Sequence, residues 1–277
     1  MIMTHGLCQV TQTRYGSFLS HRLDRYIGAS LALYGEYSQG EVDLFKQCIR
    51  QGDVVVDAGA NIGYFSVIFS QLVGAQGAVY AFEAQQFIYN LLCGNAAFNS
   101  CFNLHPYFMA LGNTQTTIEI TLPNYTITDN FGGIDLMNHH RSGTTQSVQC
   151  DTLDNVLSPL ERVDFIKIDV EGMEQVVIEG ARQIIKKFRP LLYVENDRTQ
   201  KARYLLELLE QLEYTLFEHN PPLYNPQNFL GCSENIFRFQ KSDGQWGYYV
   251  SKNILCIPKE RSIEMKGFKQ IYANSYA

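Results

Sequence analysis

No two of the seven cysteines are spaced C-x-x-C; Cys8, Cys48, Cys93, Cys101, Cys150, Cys232 and Cys256 recur at irregular intervals. An odd, irregular set argues against a disulfide framework and gives no zinc-ligand spacing. Reduced, mostly buried thiols in a cytoplasmic protein are expected instead. Charge is scarce too. Asp, Glu, Lys and Arg make up 18% of the 277 residues, against about 25% in an average domain. The balance of 22 basic and 28 acidic residues leaves a formal net charge of −6. Such a chain has no general attraction for nucleic acid or for an anionic membrane. No apolar run approaches the roughly 20 residues of a membrane-spanning helix. Met1 to Val10 lack a basic start followed by an apolar stretch, so no signal peptide is expected.

What is present suits a packed core. Hydrophobic residues make up 45% of the chain, with 17 tyrosines and 17 phenylalanines. The one dense basic run, Lys186-Lys187-Phe188-Arg189, falls at the end of an expected helix, where cations complement the helix dipole. From residue 41 onward, helical and strand patterns alternate. Val42, Phe45, Cys48 and Ile49 share a helix face, and Val54 to Asp57 read as a buried strand followed by a helix over Asn61–Leu72. The rhythm continues with a strand at Ala78–Glu83, a helix through Phe98 and a strand at Leu104–Ala110, the last weakened by Pro106. Val163–Asp169 is a strand, Gly172–Lys187 one helix, Pro190–Glu195 a strand, and Tyr204–Leu212 a helix. Tyr214–Phe217 and Asn253–Ile257 close the sheet. Such alternation means a mostly parallel sheet with helices on both faces. Residues 113–150 break it with two β-like ends and a loop tip carrying His139, His140 and Arg141; a loop of this length is a candidate for acceptor choice. The expected division is an N-terminal segment over 1–40 packed near the cofactor site, one domain over 41–260 and a tail over 261–277.

The stretch Val56-Asp57-Ala58-Gly59-Ala60-Asn61-Ile62-Gly63 places a glycine turn between strand and helix, the general nucleotide site of doubly wound sheets. The spacing is G-x-x-x-G rather than the G-x-G-x-x-G of dinucleotide binders. Asp57 closes the strand. Facing a pyrophosphate about 4 Å away, it would be repelled by about 4 kcal/mol at an effective dielectric near 20; facing a cationic ligand, it would not. Glu83, at the end of the next strand, can accept hydrogen bonds from both ribose hydroxyls.

These residues resemble the FkbM-type methyltransferases that use S-adenosylmethionine (SAM). The match lies in VVVDAGANIG (Val54–Gly63), AFEA (Ala81–Ala84), Asp151-Thr152-Leu153-Asp154, DFIKIDVEGME (Asp164–Glu174), Arg189–Glu195 and Asn253–Pro258. The resemblance implies the class I methyltransferase fold: an α/β, Rossmann-like, mostly parallel seven-stranded sheet with an antiparallel last strand, here with a β-hairpin-like insertion. It implies SAM as cofactor and transfer of methyl to a hydroxyl of a small-molecule acceptor, a sugar or natural product. By position, Asp57, Gly59, Ala60, Asn61 and Gly63 would surround the methionine end of SAM, Glu83 its ribose, and Ala84, Met109 and Ala110 its adenine. Tyr34-Gly35-Glu36 loosely resemble a segment that folds over the cofactor.

Methyl transfer to an alcohol needs alignment within about 3–3.5 Å and a base for the hydroxyl proton. Asp169, Glu171 and Glu195 close the fourth and fifth strands or follow them. Asp169 is the first choice as base or as anchor of the SAM amino group. The three could instead hold Mg²⁺, but the spacing does not demand it and no metal is assigned. Lys167 receives no role. The rival readings are a SAM- or nucleoside-binding module without catalysis and an NAD-dependent oxidoreductase.

Overall fold

The computed structural model describes residues 2–133, 144–197, 199–261, 263, 265 and 267–275. Where the sequence shows no clear period, the chain forms an antiparallel sheet of three strands, β1 (Ile2–His5), β2 (Cys8–Thr13) and β3 (Gly16–His21). Helices α1 (Ile27–Tyr34) and α2 (Gln39–Cys48) follow. The side chains of β2 that turn inward are Gln9, Thr11 and Thr13. Gln9 Nε2 donates to Ser20 Oγ and to the Gly28 carbonyl at 3.3 and 3.1 Å. Polar residues on the buried face erase the hydrophobic alternation that marks a half-buried strand. This sheet packs on the main body through Asn95, which accepts from Leu19 N–H at 2.6 Å and donates to Leu19 O and Ile62 O at 2.9 and 2.7 Å.

The central alternation comprises β4 (Val54–Ala58), α3 (Tyr64–Val73), β5 (Ala78–Glu83), α4 (Gln86–Phe98) and β6 (Leu104–Phe108). The insertion then contributes β7 (Ala110–Leu111), β8 (Thr116–Thr121) and β9 (Thr145–Asp151). Here β8 and β9 pair as an antiparallel hairpin, with β7 alongside β9. His139, His140 and Arg141 lie outside the described residues. Beyond the insertion come α5 (Leu153–Val156), β10 (Phe165–Ile168), α6 (Glu174–Glu179), α7 (Arg182–Phe188), β11 (Leu191–Glu195), α8 (Thr199–Gln211) and β12 (Tyr214–His219). A small hairpin of β13 (Arg238–Gln240) and β14 (Trp246–Tyr248) precedes β15 (Asn253–Pro258) and β16 (Lys269–Ile271).

The main sheet runs β16-β12-β15-β11-β10-β4-β5-β6. Strands β6, β5, β4, β10 and β11 are parallel, and β15 is antiparallel to both neighbours. This is the class I methyltransferase arrangement, with the short β16 as an eighth strand at the edge. Pro106 is tolerated because β6 is the other edge. The third strand ends earlier than expected, at Phe108, and Ala110 belongs to the insertion's sheet.

Successive residues of each central strand serve opposite cores. Val55, Phe165, Tyr193 and Leu255 pack with α2, α3 and α4, whereas Val56, Ile166, Leu192 and Ile254 pack with α6, α7 and α8. Burial of both faces explains why the strands read as unbroken apolar runs. The expected single helix over Gly172–Lys187 is two. At the break Gly180 O accepts from Asp154 N–H at 2.9 Å instead of from the helix, and a Cβ on Gly180 would lie 1.9 Å from the Gly112 carbonyl oxygen, so only glycine fits the crossing. Asp154 starts the second piece, its carboxylate accepting from the N–H groups of Gln183 and Ile184 at 3.0 and 2.9 Å. Among the described residues no helix is long and apolar enough to cross a membrane.

Candidate active site

The carboxyl ends of β4, β5, β10 and β11 open onto a cavity of about 560 Å³, within the range of small-molecule sites. Tyr26, Ile27 and Tyr37 from the N-terminal segment line it, as do Asn130, Gly132 and Gly133 from the insertion and Tyr249 to Lys252 from the chain before β15.

One end is built by the glycine turn. Gly59 has φ 80°, and a Cβ there would lie 1.8 Å from the Asp169 carbonyl oxygen, so only glycine lets the turn cross so close to β10. The N–H groups of Gly59 and Ala60 donate to Phe82 O at 3.0 and 2.8 Å. Asn61 adopts a left-handed backbone (φ 52°), and its N–H donates to Glu83 Oε2 at 2.9 Å. Gln85 N–H donates to Glu83 Oε1 at 2.8 Å. Both carboxylate oxygens are thus fixed from behind, and their remaining lone pairs can take further donors. Burial pushes the Glu83 carboxyl up to about 7 against the pull of these N–H donors. Phe82, Ala84, Met109, Ala110 and Leu111 supply an apolar flank.

Of the residues expected around a cofactor, Gly59, Ala60, Asn61, Glu83, Ala84 and Ala110 line the cavity. Asp57 and Gly63 do not. Gly63 meets α4 instead, where an added Cβ would come within 2.4 Å of Leu92 Cδ1. Asp57 is fully buried, accepts from Ser66 Oγ at 2.6 Å and lies 3.9 Å from Lys167 Nζ. The parallel register of β4 and β10 places Lys167 opposite Asp57. The cation that Asp57 meets is therefore the protein's own lysine, and its charge does not discriminate between possible ligands. Tyr34 and Glu36 also face elsewhere. Tyr34 Oη donates to Glu234 O and accepts from Ile236 N–H, while Glu36 pairs with Arg14 at 2.7 Å and accepts from Asn225 Nδ2. They tie the N-terminal segment to the chain before β13.

The other end is acidic. Asp169, Glu171 and Glu195 are brought together, each offering a carboxylate oxygen within 4.8 Å of the others. Lys167, 2% exposed, donates to Asp169 Oδ2 at 2.8 Å. Burial pushes the Glu195 carboxyl well up, and the charges of Asp169, Glu171 and Asp197 push it further. Glu171 sits in a left-handed backbone (φ 53°) at the cavity wall.

Sequence reasoning missed Lys167, Gln85 and Tyr37 as parts of this site. A lysine between two isoleucines of a buried strand was a signal for Lys167, since a buried ammonium requires a carboxylate partner. Gln85 Nε2 donates to Phe131 O, and Tyr125 Oη donates to Gln85 Oε1, so this side chain ties the insertion to the end of β5. Asn130-Phe131-Gly132-Gly133 carried a weaker signal in its paired glycines, which accommodate the side chains of Asn61 and Asn130.

No curated protein matches the sequence. The FkbM methyltransferase from Methylobacillus flagellatus has a similar solved structure, with TM-score 0.46, 14% identity, 78% of this chain covered and 50% of that one. The present chain thus spans half of that protein's length. Precorrin-6y C5,15-methyltransferase from Geobacter metallireducens aligns with TM-score 0.45, 14% identity, and 78% and 84% of the two chains. Aeropyrum pernix fibrillarin, solved with natively bound S-adenosyl-L-methionine, gives 0.45, 10% identity, and 92% and 97%. The family model of the methyltransferase FkbM domain matches residues 57–219, more than half of the sequence, from the end of β4 to the end of β12. The chain belongs to the FkbM methyltransferase family.

Proposed function

We propose that this protein is a SAM-dependent O-methyltransferase, acting on a hydroxyl of a sugar or natural-product-type small molecule. The observation that carries the reading is Glu83: a carboxylate at the end of β5, anchored by the N–H groups of Asn61 and Gln85, and lining the cavity beside the glycine turn. That arrangement suits two ribose hydroxyls. The apolar flank of Phe82, Ala84, Met109 and Ala110 suits an adenine, and the Gly59–Asn61 turn the methionine end. Residues 41–260 would form most of the catalytic domain, residues 1–40 would cover the cavity through Tyr26, Ile27 and Tyr37, and the chain after 260 would complete the sheet's edge through β16. Cysteines recorded as free thiols fit a cytoplasmic setting.

When bound, SAM supplies a methyl group activated by its sulfonium. Glu83 holds the ribose and so fixes the reach of that methyl group across the cavity. Lys167 holds Asp169 Oδ2, which leaves Oδ1 to meet the acceptor hydroxyl and receive its proton. Glu171 and Glu195 complete the anionic wall that would orient the acceptor. The N-terminal tyrosines and the insertion narrow the access of water.

Glu83→Ala should weaken binding of S-adenosylhomocysteine by about 10- to 150-fold, the loss of hydrogen bonds to a charged group being worth about 1.5–3 kcal/mol. Calorimetry on the folded variant measures this directly. Unchanged affinity would remove Glu83 from the cofactor site and the reading with it.

A further inference from the structure

We propose that Tyr26, Tyr249 and Phe239 form a stacking subsite for the second ring of a glycosidic acceptor, so that this protein acts on an uncharged sugar of two or more rings rather than on a monosaccharide. The inference deepens the proposed function and rests on it.

The hairpin of β13 and β14 presents two faces. Paired residues share a face of an antiparallel ladder, and the side alternates along each strand. Arg238, Gln240, Trp246 and Tyr248 lie on one face, where the Arg238 guanidinium covers the Trp246 ring at 4.7 Å. Phe239 and Gly247 lie on the other. A Cβ on Gly247 would come within 2.5 Å of Phe239 Cζ, so the ring lies against the glycine. Tyr249 continues this face, its ring centre 4.9 Å from that of Phe239 and 6.5 Å from that of Tyr26.

The strip of rings begins inside the cavity. Tyr26 and Tyr249 line its wall, and Phe239 carries the row outside. A ligand seated in the cavity and reaching out of it meets the rings in that order. Burial raises the pKa of the Tyr26 phenol, and the Tyr249 phenol and the charge of Glu171 raise it further, so the pair stands at the acidic end. The platform is fixed from behind. Tyr249 N–H donates to Phe237 O at 2.9 Å, and Leu223 N–H donates to Tyr249 O at 3.2 Å. The Tyr26 ring stacks on buried Phe237 with centres 5.8 Å apart. Even so, Tyr249 and Phe239 remain 44% and 39% exposed. Rings held from behind and bare in front lose little freedom when a ligand ring lands on them.

A cavity of about 560 Å³ is the size of a site for one small molecule. With the cofactor inside, an acceptor of more than one ring has to leave by the mouth. The chemistry of that exit selects a sugar. The C–H face of a sugar ring fits an aromatic face, while the hydroxyls at its edge meet the phenols of Tyr26 and Tyr249 and the ammonium of Lys252, all on the cavity wall. A purely apolar scaffold would strip water from these groups and return no hydrogen bond. The chain's net charge of −6 disfavours an anionic glycan.

The test uses the full-length protein and SAM with two matched pools: methyl glycosides of neutral monosaccharides, and neutral di- and trisaccharides built from the same units. Mass spectrometry reads methyl gain in each. The expected result is transfer to an oligosaccharide with kcat/KM about tenfold or more above that of its component monosaccharide, since the outer ring's contact adds binding energy. Tyr249→Ala and Phe239→Ala should each raise KM for the oligosaccharide about five- to tenfold, the scale of a lost ring contact, with kcat and the monosaccharide's kinetics unchanged. Tyr249→Phe keeps the ring and should stay within about twofold of the parent protein. Tyr248→Ala, on the opposite face, should change neither constant. If Tyr249→Ala does not fold, Phe239→Ala on the exposed hairpin gives the same readout. Equal use of the two pools, methyl gain in neither, or stacking variants indistinguishable from the parent would overturn the subsite. So would sedimentation showing a dimer that Phe239→Ala dissolves, because a second copy would then cover the strip. Calorimetry with S-adenosylhomocysteine on the same samples separates the two claims: binding retained while the pools fail removes the subsite alone, whereas no binding removes the proposed function.

Discussion

The two ends of the cavity place their carboxylates in different company. At the β5 end, Glu83 receives a backbone N–H on each oxygen. At the β10–β11 end, Glu195 keeps an oxygen with no partner, and Asp169 is held on one side only, by Lys167. Strand ends supply acids to both, but at the β5 end N–H groups from the turns after β4 (Asn61) and β5 (Gln85) point at the acid. A carboxylate satisfied from behind is rigid and ready for neutral donors such as ribose hydroxyls. Carboxylates crowded together call for positive charge or a proton. Under the proposed function, cofactor binding would fall to one end and acceptor chemistry to the other.

The comparison breaks most sharply at Asp169. Asp169→Asn should lower turnover about 10²- to 10⁴-fold, the usual contribution of a positioned base, while affinity for S-adenosylhomocysteine changes less than threefold. An acceptor found by screening hydroxylated compounds for methyl gain by mass spectrometry would supply the assay. Equal losses in both quantities would mean that the two ends are not separate. Lys167→Met comes next. Removing the buried ammonium strands Asp57, which is fully buried beside it, and should cost about 3–5 kcal/mol of stability. Denaturant unfolding reads this, and a loss below about 1 kcal/mol would show that buried Asp57 does not depend on the lysine's charge.

The smallest effect sharpens the β5 end. Burial pushes the Glu83 carboxyl up to about 7, and in the proposed site its ionised form would be the one that accepts both ribose hydroxyls. As pH falls below 7 the ionised fraction drops toward tenfold per unit, so affinity for S-adenosylhomocysteine should fall with it. Above 7 the carboxylate is already charged, and affinity should level off. Calorimetry between about pH 5.5 and 8 checks the slope, which Glu83→Gln should abolish.

The doubly wound sheet was legible because burial on both faces writes β4, β5, β10 and β11 as apolar runs. The three N-terminal strands were not, since Gln9, Thr11 and Thr13 occupy the inward positions and leave no alternation to read. The break between α6 and α7 was hidden because apolar residues keep helical spacing across it; at the break Gly180 O accepts from Asp154 N–H, and the Asp154 carboxylate takes the N–H groups of Gln183 and Ile184. The strand-end acids Glu83, Asp169 and Glu195 could be placed because parallel strands present their carboxyl ends on one edge. Asp57 misled for a reason of register: its neighbour across the ladder is a lysine that sequence separation conceals. Tyr34 and Glu36 misled likewise, Tyr34 meeting Glu234 and Ile236, and Glu36 meeting Asn225 as well as Arg14.

The central claim is that the β5 end holds an adenosine ligand without a pyrophosphate. Calorimetric titration of the intact protein with S-adenosylhomocysteine, followed by NAD under the same conditions, tests it most directly. Saturable one-to-one binding of S-adenosylhomocysteine with no heat from NAD is the predicted result. Tight NAD binding with no response to S-adenosylhomocysteine would contradict it.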